Sequence, residues 1–234
     1  MTVYWLEQVE ADVPDRDDWL SPREAGHLQL LRVPKRRTDW RLGRWTAKHA
    51  VATCMDLPHD AEALSAIEIR PDTSGAPEAF LRDQPPGVCI SISHSAGVAA
   101  CVVGPSGAIL GCDLELVEPH SPAFIADFFT EDEQAMISRS AASERDALTV
   151  LLWSAKESAL KTLHTGLRLD TRCVSVKIGN ETPITNSSWS PLFVRCQNGQ
   201  VLHGWWQHPS GLIRTLVAAP PTGPPVVLSL RRTS

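Results

Sequence analysis

Apolar and polar residues alternate loosely over 3–9 and again over 65–70, the period of a strand with one buried face. Between these segments the period changes. Leu42, Trp45, Ala50, Val51 and Met55 recur at roughly helical intervals, predicting a helix over 40–55 that Pro58 limits. An earlier helix is predicted to open at Ser21-Pro22-Arg23-Glu24. Serine caps, proline suits the first helical position, and glutamate reaches back to the cap. Segment 71–87 is rich in Pro and Gly and reads as loop. Two β-rich apolar runs, 88–93 and 98–103, flank a turn at His94-Ser95-Ala96-Gly97, and a third, 108–114, follows Gly104-Pro105-Ser106-Gly107. Three strands in succession after a long helix predict an antiparallel sheet with a helix packed on it.

The second half repeats that order. Thr130-Glu131-Asp132-Glu133 is another capping box, opening a helix through Ala135, Met136 and Ile137. A second helix is predicted over 147–164, with Gly166 to terminate it. Strands are predicted at 173–178, 192–196, 201–206 and 213–218, and the proline-rich stretch 220–225 leads to an extended tail. Helices then strands, twice over, predict an α+β fold of two similar halves, each a small antiparallel sheet packed with helices. The division is placed at 1–112 and 113–234. The duplication rests on element order alone, without a residue-level repeat.

Composition narrows the partners more than the fold. The net charge of -5 argues against nucleic acid. No apolar run reaches the ~20 residues of a membrane helix. The first residues are acidic and mixed rather than basic then apolar, so no signal peptide is expected and the cytoplasm is the expected compartment. Cys54, Cys89, Cys101, Cys112, Cys173 and Cys196 form no C-x-x-C pair and read as free thiols rather than zinc ligands. A chain with two halves of its own needs no second copy, so a monomer is expected.

Four segments carry candidate chemistry. Asp113 and Glu115 lie two apart in GCDLE (111–115), on one side of a strand. Such a pair can hold Mg²⁺ with phosphate oxygens and water; it is also what a solvated strand end shows. Glu157 and Lys161 lie four apart on a predicted helix, the spacing of a surface ion pair. Trp153 and Leu160 make that sector apolar, and a half-buried pair there carries perturbed pKa values. SISHS (91–95) puts Ser93 and His94 where a strand turns, a place that can bind phosphate or simply satisfy its own backbone. Arg32, Lys35, Arg36, Arg37, Arg41, Arg44 and Lys48 make a local positive patch in an acidic chain. Glu133 is accounted for by its capping box. P-loop, G-x-G-x-x-G, G-x-S-x-G and H-E-x-x-H motifs are absent from the sequence.

Taken in order, SISHS, GCDLE, FFTEDE (128–133) and WSAKESALK (153–161) resemble the signatures of the Sfp-type 4′-phosphopantetheinyl transferases. The resemblance covers roughly 32–178. It implies two similar α+β halves and transfer of phosphopantetheine from coenzyme A to a serine of an acyl or peptidyl carrier protein, with adenosine 3′,5′-bisphosphate released. It implies Mg²⁺ on Asp113, Glu115 and Glu157, with Glu157 also helping to deprotonate the serine. Lys161 would neutralise the pyrophosphate or protonate the leaving group. Ser93 and His94, with Arg37, Arg44 and Lys48, would contact coenzyme A phosphates. The carrier would dock near 162–172. The chain departs from the family where many relatives carry a glycine-lysine-proline turn: here it reads Gly75-Ala76-Pro77. Two other readings use the same residues: a Mg²⁺-dependent hydrolase of nucleotide-like pyrophosphates, and a non-catalytic relative that binds carrier proteins or coenzyme A.

Overall fold

The computed structural model describes residues 1–164, 169–179, 184 and 187–230. The capping box at Ser21 forms as the sequence predicts: Glu24 N–H donates to Ser21 Oγ and Ser21 N–H to Glu24 Oε2. It opens α1 (Pro22–Leu30), and a proline again stands first in α2 (Pro34–Cys54), which starts six residues before the predicted helix. Around these lie β1 (Tyr4–Val9), α3 (Ala61–Ala66), β2 (Ile67–Pro71), β3 (Pro77–Leu81), β4 (Val88–Ser95) and β5 (Val98–Pro105). The β4–β5 hairpin closes through Ala96 and Gly97, at φ +50° and +75°, so the turn is two residues and His94 belongs to the strand. Strand β3 falls inside the predicted loop. It pairs with β2, and Pro77 at its first position has no amide to lose there.

The second group begins with β6 (Ile109–Leu116), followed by α4 (Pro122–Phe128), α5 (Glu131–Arg139) and α6 (Arg145–Thr162). Then come β7 (Val174–Ile178), β8 (Ser190–Cys196), β9 (Val201–Gln207), β10 (Leu212–Ala219) and β11 (Val226–Val227). The architecture is α+β, with six α-helices among the described residues. Gly166 lies outside the described residues, and the α4 helix was not predicted.

The chain divides into two compact units: Met1–Ala108 with the tail from Pro225, and Ile109–Pro224. The division placed at 112 would cut β6 in two, and it leaves the tail on the wrong side, because β11 pairs in parallel with β1. In the first unit one sheet runs β11-β1-β5-β4 and β2-β3 forms a second. In the second unit the order is β6-β10-β9-β8-β7, antiparallel throughout. Strand β6 therefore does not extend the β4–β5 hairpin; its ladder is with β10. Helix α6 packs on β6 and β10, and the close approach of α6 at Gly111 fixes that choice.

Among the described residues each unit has one core with a fully buried lysine paired to a glutamate inside it. In the first, α2 covers a core that includes Leu6, Leu28, Val51, Leu64, Ile67 and Val103. Glu24 there does more than cap. Its Oε2 lies 2.5 Å from Lys48 Nζ and its Oε1 accepts from the Ile69 amide. In the second, Leu151, Ala155, Val174, Leu192 and Trp206 surround α6. Glu133 caps α5 through Thr130, accepts from the Val176 amide at 2.8 Å and meets Lys156 Nζ at 2.8 Å. The capping box thus accounts for only part of Glu133.

Candidate active site

Helix α6 runs antiparallel to β6, and two stripes of residues spaced by four decide what meets what. Ser154, Ser158 and Thr162 form the inner stripe. Ser154 and Ser158 hydroxyls bond Thr215 Oγ1 at 2.9 and 2.7 Å, and Thr162 donates to the Val217 carbonyl. A Cβ built on Gly111 would come within 1.9 Å of the Ser158 carbonyl oxygen, so only glycine lets the helix lie this close to the strand. The hydroxyl ladder and that glycine set the register.

Trp153, Glu157 and Lys161 form the neighbouring stripe, and the register brings it over the carboxylates of β6. Lys161 Nζ donates to Asp113 Oδ1 at 2.9 Å and to the Cys112 carbonyl at 2.8 Å. At the other end Trp153 lies beside Glu115. Glu157 stands between them on the helix, and its Oε1 is buried without a hydrogen-bond partner among the described residues.

Three carboxylates held this close disturb one another. Burial, then the charge of Asp113, pushes Glu115 up to about 7, against the influence of Trp153 and Lys161, which favour its anion. Burial and Asp113 raise Glu157 as well, with Lys161 opposing. For Lys161 burial opposes the charge, but Asp113, Cys112 and Glu157 outweigh it, and the ammonium is held above its usual range. The cluster is short of positive charge, with one ammonium against three acids.

Among the described residues no three Asp, Glu, His or Cys side chains converge as a ready metal-ligand set. The donors nonetheless suit a hard divalent cation: they are all carboxylate oxygens, they repel one another, and one buried oxygen lacks a donor.

The other predicted residues belong to the first unit. Lys48 must be withdrawn as a phosphate ligand. It is fully buried, its ammonium is held by Glu24 and donates to the Trp19 and Leu64 carbonyls, and burial pulls its pKa down. Arg37 donates to the Leu28 carbonyl and keeps 42% of its side-chain surface. Arg44 lies over the Trp40 ring, 3.9 Å from Glu24, and its Nε makes no hydrogen bond among the described residues. The positive patch is smaller than its residue count, because Arg41 is taken by Asp17 and Lys35 by Asp39. Ser93 is buried and His94 exposed, as successive residues of β4. Of the docking region 162–172, residues 165–168 lie outside the described residues.

Sequence reasoning read Glu24 as a helix cap and missed its ion pair with Lys48. The signal was a capping glutamate followed by a buried lysine, which occurs in both units.

A strand and a long helix thus present carboxylates and one lysine to each other. Residues 109–216 match the model of the 4′-phosphopantetheinyl transferase superfamily, whose members use coenzyme A as substrate. The match runs from the start of β6 into β10 and takes in Asp113, Glu115, Glu157 and Lys161. It supports phosphopantetheine transfer in general. No curated protein matches the chain. No described helix is long and apolar enough to cross a membrane.

Proposed function

We propose that the chain transfers 4′-phosphopantetheine from coenzyme A to a serine of an acyl or peptidyl carrier protein, as a cytoplasmic monomer of the Sfp type. The observation that carries this reading is the α6–β6 register inside the matched segment, which sets Lys161 on Asp113 with Glu157 one turn away on the same face of α6. In the reaction the serine oxygen bonds to the β-phosphorus of coenzyme A. The bridging P–O bond breaks, and adenosine 3′,5′-bisphosphate leaves with that oxygen.

Such displacements need positioning and charge neutralisation more than covalent help. Asp113, Glu115 and Glu157 would hold Mg²⁺, which when bound supplies the charge that neutralises the pyrophosphate. Glu157, with a pKa above the ordinary carboxylate range, suits the task of taking the serine proton near neutral pH. Lys161 is fixed as an ammonium and offers its proton and charge to the departing phosphate. Arg37, Arg44, Ser93 and His94 are the proposed contacts to coenzyme A phosphates.

Incubation with coenzyme A, Mg²⁺ and an apo carrier protein tests the reading by mass spectrometry. A carrier heavier by one phosphopantetheine is expected. Coenzyme A cleaved at its pyrophosphate with the carrier unchanged would instead identify a hydrolase, and tight binding without chemistry a binding protein.

A further inference from the structure

We infer that Thr215 is a positioning residue: its hydroxyl fixes α6 lengthwise on the sheet and so holds Glu157 and Lys161 over β6. Its role rests on the site proposed above. A threonine hydroxyl has one proton and two lone pairs, and here all three are spent on α6. It donates to the Ser154 carbonyl at 3.0 Å. With its proton placed there, it accepts from the Ser154 and Ser158 hydroxyls at 2.9 and 2.7 Å. All three side chains are fully buried. Thr215 is also the partner of Asp113 in the β10–β6 ladder, so the anchored position and the carboxylate are direct neighbours on one face of the sheet.

Burial alone does not ask for threonine here. Ile213, Leu216 and Val217 of the same strand are apolar and fully buried, and valine would fill the space of Thr215. What valine lacks is direction. Apolar contact tolerates a small slide of a helix along a sheet, whereas hydrogen bonds to two successive turns do not. Gly111 sets how deep the helix lies but offers no side chain to stop it sliding. Glu157 stands one residue before Ser158 and Lys161 three after it, so any shift of α6 carries both. The 2.9 Å contact of Lys161 with Asp113 leaves little room for one. A misplacement of about 1 Å can cost about a hundredfold in rate.

The test is a double-mutant cycle on Asp113→Asn and Lys161→Met, read by chemical denaturation without metal or substrate. It is run in wild type, Thr215→Ser and Thr215→Val. The pair should couple by about tenfold in the unfolding equilibrium in wild type and Thr215→Ser, and by less than about threefold in Thr215→Val. In turnover, Thr215→Val should lose about a hundredfold in kcat at an unchanged KM for coenzyme A, and Thr215→Ser should restore most of it. Val194→Ala weakens the same core away from α6's hydroxyls and should keep its kcat. Wild-type coupling in Thr215→Val overturns the inference. So does an equal fall of kcat in Val194→Ala, which would leave Thr215 a packing role only. Coupling as expected in a protein that transfers nothing to a carrier upholds the anchor and overturns the proposed function. Should Thr215→Val fail to fold, Ser154→Ala combined with Ser158→Ala removes both serine bonds from the helix side; coupling undiminished there overturns the inference.

Discussion

Helices α2 and α6 carry the same short sequence to different ends. Trp45-Thr46-Ala47-Lys48-His49 in the first unit stands against Trp153-Ser154-Ala155-Lys156-Glu157 in the second. In both, the lysine is fully buried and meets the glutamate of a capping box, Glu24 or Glu133. In both, that glutamate accepts a strand amide, from Ile69 or Val176, and the lysine donates to two carbonyls. In both, the ammonium sits 5.6 Å from an aromatic centroid, Trp19 or Phe129. The units part at the next residue and four beyond it: His49 and Thr53 against Glu157 and Lys161. A shared frame joins cap, helix and strand, and the proposed chemistry lies on only one copy of it.

The first way to break the comparison is to remove each buried lysine. Lys48→Met and Lys156→Met each leave a buried carboxylate without its partner, and each should lose about 3–5 kcal/mol of stability in chemical denaturation. Losses that differ by most of that range would show that the two pairs are not one device. The next substitution separates frame from chemistry. Glu157→Gln should lower turnover by at least about a hundredfold, the contribution of a general base, without loss of stability, because it relieves a raised carboxylate. His49→Gln should leave turnover as it was. A Glu157→Gln enzyme with near-normal rate would remove Glu157 from both of its proposed roles.

The repeat was present in the sequence and went unread there, because only three residues are identical, with a Thr–Ser exchange between them, and the flanking ones diverge. Element order was legible for a physical reason: the α2 and α6 periods, both capping boxes and the Ala96-Gly97 turn are local signals. Strand β3 was not, since a proline-rich stretch looks like loop until β2 supplies its partner. Nor was the allegiance of β6, whose ladder with β10 spans about a hundred residues of sequence. Asp113, Glu115, Glu157 and Lys161 became candidates by spacing, and the order of the four motifs singled them out. Lys48 was misassigned because a buried lysine and a phosphate-binding lysine look alike in a basic segment; only Glu24, 24 positions away, distinguishes them.

His49 in the first unit and Glu115 in the second give the two units opposite responses to pH. His49 is held down to about 4 by burial and by its neighbour His59, whose Nδ1 lies 2.7 Å away; Asp12 opposes. Between its ordinary 6.5 and about 4 the unfolded chain binds more protons, so stability falls as pH drops through that window. The effect is on the order of 3 kcal/mol for a shift of this size. Glu115 behaves in the reverse sense. Raised from 4.5 to about 7, it binds more protons in the fold, so without metal its contribution falls as pH rises through that window. Denaturation midpoints from pH 4 to 8 should show His49→Gln flattening the acid limb and Glu115→Gln the neutral one. An acid limb unchanged in His49→Gln would mean another group carries it.

The smallest expected effect lies where the first unit departs from the transferase pattern. The turn before Pro77 is well formed. Asp72 Oδ1 accepts from the Ser74 and Ala76 amides at 2.7 and 2.9 Å, and Gly75 takes φ +95°, so the backbone can present a side chain at Ala76. The nearby cation does not replace the missing lysine. Arg70 is held by Glu68 at 3.0 Å and by Asp83, and lies over Phe80. Arg82 is exposed on the turn after β3. Ala76→Lys should therefore lower the KM for coenzyme A by about two- to fivefold, the worth of one exposed ion pair, with kcat unchanged and the gain reduced by salt. An unchanged KM in Ala76→Lys, together with a raised KM in Arg82→Ala, would instead assign the phosphate contact to Arg82 and make the first unit's departure one of position rather than of charge.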